Sequence, residues 1–103
     1  MTPPTTKTLF AVIRSRGSAW QDSLELESQV DWAPHASFMN ALHREGFVVL
    51  GGPLSGTPDV LLIVRANSPE EILSRLTGDP WTAKGLLQVS RVAPWTLRLG
   101  GLD

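Results

Sequence analysis

The sequence predicts an α+β domain in which one four-stranded antiparallel sheet carries two helices on one face. Three observations carry that prediction. Short segments rich in β-branched and other apolar residues recur along the chain. Two segments between them show a helical apolar period with start and stop signals. Their order is β-α-β-β-α-β, the split βαβ pattern of ferredoxin-like folds. At 103 residues the chain reads as a single domain, 1–103, with a core of modest size.

Leu9–Ile13 (LFAVI) is the first strand, continued by Arg14-Ser15-Arg16 and stopped by Gly17. Before it, MTPPTTK at residues 1–7 reads as a frayed tail, because Pro3 and Pro4 oppose helix and the threonines bury little. Residues 17–30 show no clear period and form a long connection, a class of segment that often covers a ligand. Residues 32–45 carry the first helix. Asp31 is the expected N-cap, Pro34 falls in the first turn where a missing N–H costs nothing, and Gly46 ends the helix. At about 100° per residue, Trp32, His35, Phe38, Met39 and Leu42 gather on one side, which aims His35 at the sheet.

Phe47–Leu54 is the second strand, bent or ended by Gly51-Gly52-Pro53. The turn residues Ser55–Pro58 join it to a third strand, Asp59–Ala66, as an antiparallel hairpin. Ser68-Pro69-Glu70-Glu71 is a capping-box pattern that opens the second helix, Pro69–Thr77. Ile72, Leu73 and Leu76 form its expected buried edge, and Glu71 and Arg75 are expected i,i+4 partners. Gly78 stops it, and Asp79-Pro80 caps one further short turn through Lys84. Leu86–Leu99 is the last strand, where Pro94 argues for an edge or a bend.

Two helices cover one side of a four-stranded sheet, so exposed strands should alternate apolar and polar. Here they do not: Leu9, Ala11 and Ile13 are as apolar as Phe10 and Val12, and Leu61 and Ile63 alternate with equally apolar Val60, Leu62 and Val64. The spare face calls for cover, and a two-fold partner packing sheet on sheet is the economical solution. The 17–30 connection is the alternative cover.

Composition closes off several functions. Nine Lys+Arg against ten Asp+Glu leave a formal net charge of −1, without the field that nucleic acid or an anionic membrane surface would need. With no cysteine there is no disulfide, thiolate metal site or Cys nucleophile, and with no tyrosine no phenolic acid. The aliphatic runs Leu9–Ile13 and Val60–Val64 fall far short of a membrane span, and the N-terminus shows no apolar leader. The expected location is cytoplasmic. His35 and His43 lie eight residues apart, the wrong spacing for a metal pair on one helix, so no metal is expected. Gly51-Gly52 lacks the context of a phosphate loop.

The run Trp32-Ala33-Pro34-His35 with Phe38-Met39 and Leu42, then Gly46, the hairpin, Gly78-Asp79-Pro80-Trp81 and Val92-Ala93-Pro94-Trp95, resembles the YCII-related (YciI-like) proteins of the dimeric α+β barrel superfamily. The likeness runs from about Leu9 to Leu99, and the 17–30 connection is a departure from it. It implies a ferredoxin-like subunit dimerised through its sheets, with a small pocket beside the first helix. It also implies a His–Asp active-site pair, matched here by His35 and Asp79, and lyase-like or dehydrochlorinase-like chemistry on small ring compounds without a cofactor.

The residues themselves fit such chemistry. Imidazole takes and returns protons near working pH. On an apolar face its charged form needs a nearby carboxylate, and Asp79 would also fix which ring nitrogen holds the proton. Arg14 is the candidate anchor for a substrate carboxylate or enolate, although strand-end arginines commonly run out to solvent. Of the four tryptophans, Trp32 and Trp81 lie nearest this pair in sequence and are the candidates for stacking on a ring substrate. Two other functions remain open at this stage: a non-catalytic binder of a small metabolite, and a module whose task is dimerisation.

Overall fold

A computed structural model describes residues 8–102; the expected tail at 1–7 lies outside them. Four strands, β1 (Thr8–Arg16), β2 (Val48–Pro53), β3 (Asp59–Ala66) and β4 (Leu87–Pro94), form one open antiparallel sheet in the order β2-β3-β1-β4. The helices α1 (Trp32–Arg44) and α2 (Pro69–Leu76) and the single turn α3 (Pro80–Ala83) complete a ferredoxin-like α+β fold.

The pleat sorts β1 into two sets. Phe10, Val12 and Arg14 face the helices and are buried, while Leu9, Ala11 and Ile13 face the other way. Strand β3 matches this register: Val64, Leu62 and Val60 stand opposite Phe10, Val12 and Arg14. Leu42 of α1, with Ile72 and Leu76 of α2, closes the core over this inner face. A second, smaller cluster of Trp81, Leu86 and Leu87 sits at the β1 C-terminal end, with Trp20, Leu26 and Trp32 against it. The 17–30 connection, which includes a 3₁₀ turn at Leu26–Ser28, therefore packs on the helix side. It contributes nothing to the hollow on the outer face, which is lined by Ala11, Ile13, Leu61, Ile63, Ala93 and Trp95 among others.

Helix α1 ends as its sequence dictates. Gly46 takes a positive φ of 82°, its N–H bonds the His43 carbonyl and the Phe47 N–H bonds the Leu42 carbonyl, the double closure of a Schellman motif. Its start differs from expectation. Asp31 adopts a left-handed conformation, φ 57° and ψ 30°, and caps nothing with its side chain; the carboxylate instead pairs with Lys84.

In α2, Ser68 Oγ accepts from the Glu71 N–H at 3.1 Å as predicted. Glu71 reaches back to the Asn67 N–H at 2.7 Å, so it is not the partner of Arg75. That guanidinium crosses to Glu45 at 2.6 Å and lies over the Phe47 ring. Ile72 and Leu76 form the buried edge, whereas Leu73, one position round the helix, is exposed.

Strand β4 is shorter than the predicted 86–99, and it lies at a sheet edge, where Pro94 removes no ladder bond from a central strand. Ile13 pairs with Arg91 but Arg14 pairs with Val89, so Ser90 is bulged out. The bulge reverses the alternation: Leu87 and Val89, at odd positions, share the inner face with Val92, at an even one.

Candidate active site

Arg14 is the start of the site. Inward alternation after Phe10 and Val12 carries its guanidinium under the helices, where it is 1% exposed. A buried guanidinium needs an anion. Asp79 supplies it from the turn between α2 and α3, with Arg14 Nη1 donating to Asp79 Oδ2 at 2.8 Å. Arg14 Nη2 donates to Thr82 Oγ1 at 2.8 Å, and that hydroxyl donates to the Leu76 carbonyl at 2.8 Å. Arg14 Nε is buried and has no partner among the described residues.

The same carboxylate caps α3, Oδ1 accepting from the Trp81 N–H at 2.9 Å. It also meets His35, whose Nδ1 lies 2.9 Å from both Asp79 oxygens. Burial by itself would raise the Asp79 pKa. The hydrogen bonds from His35, Arg14 and the Trp81 backbone outweigh that effect and hold the carboxyl below its ordinary value. Asp79 is thus an anion that only accepts, which makes His35 Nδ1 the donor. The other ring nitrogen, Nε2, makes no hydrogen bond among the described residues, and His35 borders a cavity of about 490 Å³.

Trp81 is fully buried and stacks on the His35 ring, centroids 3.7 Å apart and planes 7° from parallel. Its Nε1–H donates to the Val30 carbonyl at 2.6 Å, and Trp20 meets it edge-on at 5.4 Å. The tryptophan expected to stack on substrate therefore has one face committed to the imidazole and its N–H committed to the 17–30 connection. Trp32 lies 5.8 Å from both rings and, half-buried, keeps a side toward the cavity.

The structure thus brings His35, Asp79, Arg14, Trp32 and Trp81 together: all but Asp79 border the cavity, and Asp79 lies fully buried behind His35 and Arg14. The other strand arginines, Arg65 and Arg91, lie on the outer sheet face. Sequence reasoning missed Thr82 and Trp20. Thr82 stands three residues after a capping Asp, where a hydroxyl can bond local backbone. Trp20 lay in a segment without periodicity and gave no signal. Among the described residues, no group of three or more His, Asp or Glu side chains could hold a metal ion. No helix among them is long and apolar enough to cross a membrane.

A family model described as YCII-related domain matches residues 17–96. Neither a curated protein nor a solved structure matches the chain.

Proposed function

The chain belongs to the YCII-related family, and from that premise we propose that it is a small proton-transfer enzyme, a lyase or isomerase acting on a small ring compound. His35 Nε2 is the acid or base. Asp79 accepts from Nδ1, sets the tautomer and stabilises the imidazolium once Nε2 has taken a proton. Arg14 holds Asp79 ionised, with Nη1 committed to Asp79 and Nη2 to Thr82. Trp32 offers a ring face to substrate, and Trp81 backs the imidazole.

In an elimination, Nε2 removes a proton from carbon. The C–H electron pair becomes the new double bond, and the leaving group departs from the adjacent carbon with its own electrons. In an isomerisation the same imidazolium returns the proton elsewhere on the substrate. The single observation behind this reading is the 2.9 Å contact of Nδ1 with both Asp79 oxygens beside a cavity large enough for a ring compound. Chemistry of this kind asks for no cofactor.

The test is proton exchange in deuterated water across a panel of carbonyl and phenolic ring compounds. Wild type is expected to exchange at least one of them, and His35→Ala to slow that exchange by roughly 10²- to 10⁴-fold. Equal exchange in both proteins removes the proposal. The apolar lining of the cavity favours a second reading, a binder of small metabolites in which His35 only hydrogen-bonds; a compound that binds without exchange supports it.

The outer sheet face belongs to the proposal as well. Its apolar hollow of about 390 Å³ fits a homodimer packed sheet on sheet. Native mass spectrometry would report subunit number and any retained ligand together.

A further inference from the structure

We propose a second polar subsite in the same cavity, formed by Asn40 and His43, that binds a hydroxyl group of the ligand at the end remote from His35. The inference rests on the reading of this cavity as the ligand site.

Asn40 and His43 are three residues apart on α1 and so share a helix face. Both are exposed, and both border the cavity that His35 borders. His43 is eight residues beyond His35, about 12 Å along the helix. Apolar Met39 and Val48 line the cavity with them.

The tautomer of His43 is set by a defect in β2. Val48 pairs with Val64 and Leu50 with Ile63, which leaves Val49 as the extra residue of a bulge. His43 Nδ1 lies 2.9 Å from the Val48 carbonyl. A carbonyl only accepts, so Nδ1 is the donor, and in the neutral ring Nε2 carries the lone pair. The Asn40 amide, three residues earlier on the same helix face, adds N–H donors.

A donor next to an acceptor matches a hydroxyl, which takes one hydrogen bond and gives another. A carboxylate would meet the His43 lone pair unfavourably. The ligand class that follows is a ring compound with an apolar body and a hydroxyl at the far end.

Two probes of one shape test this, 4-hydroxybiphenyl and 4,4′-dihydroxybiphenyl, titrated by calorimetry. Wild type should bind the diol tighter by about 5- to 150-fold, the worth of two net hydrogen bonds. His43→Ala and, separately, Asn40→Ala should each cut that ratio by about 2- to 12-fold while leaving the monophenol affinity unchanged. A ratio kept in both variants, a wild-type ratio of one, or no binding of either phenol overturns the subsite. His35→Ala should weaken both phenols equally and preserve the ratio. If it leaves both affinities untouched, the role given to His35 is what fails, while the His43 and Asn40 ratios still decide the subsite.

Discussion

The two faces of the sheet invert the usual relation between polarity and burial. Between the inner face and the helices lie an arginine and an aspartate that are almost fully buried and a histidine that is 8% exposed. The outer face is built from Leu9, Ala11, Ile13, Leu61 and Ile63, yet no helix covers it. Burying charge costs several kcal/mol per ion unless it is paired and hydrogen-bonded, and the inner face meets that cost with a continuous chain from the Leu76 carbonyl through Thr82, Arg14 and Asp79 to His35. The outer face has no such internal pairing: Leu9, Ala11, Ile13 and Leu61 are half-buried, and Ile63 is 4% exposed. The contrast teaches that internal pairing specifies one face, while the other is the face on which the proposed homodimer would pack.

The largest test of that contrast is to unpair the inner face. Asp79→Asn leaves Arg14 buried without its anion, and urea unfolding should show a loss of about 3–5 kcal/mol. Combining it with Arg14→Met should cost less than the sum of the two single changes, because the pair is removed together. On the outer face, Leu61→Glu should spare the fold and abolish association. Light scattering would then give half the wild-type mass, and an unchanged mass would count against the sheet-to-sheet dimer.

Acid offers a gentler way to loosen the inner face. Because Asp79 titrates below the ordinary carboxyl value of 3.8, its contribution to stability is complete above that value. It is lost as pH falls from there toward the lower folded-state value, where protonation of the folded state catches up. Stability measured against pH should drop in that window in wild type, and Asp79→Asn should lack this part of the drop. The smallest effect belongs at the surface. The Asp31–Lys84 pair is partly exposed, and Asp31→Ala should change stability by no more than about 1 kcal/mol. A larger loss would mean that surface pairing anchors the 17–30 connection more strongly than its exposure suggests.

Part of this site was legible in the sequence. The 3.6-residue period aimed His35 inward, and it is 8% exposed. The alternation of Phe10, Val12 and Arg14 carried the same information for the arginine, but a charged residue near a strand end reads as solvent-bound until its counter-ion is located. Nearness to Asp79 in sequence marks Trp81 as a surface for substrate; only the packing of α3 shows it stacked on His35. The Glu71–Arg75 pair followed from helix geometry and lost to Glu45, which no local rule brings near. The bulge at Ser90 left no mark in the alternation, because apolar residues continue on both sides of it.

What the sequence determined by itself was local. Turn residues ended the strands, Gly46 and Ser68 bounded the helices, and the apolar period chose the buried stripe of α1, since each depends on backbone preferences within a few residues. The tertiary structure decided the meeting of Arg14 with Asp79 across 65 residues and of His35 with Asp79 across 44. Those contacts depend on strand order, on register and on the angle at which α1 crosses the sheet, none of which is encoded at the residues that meet.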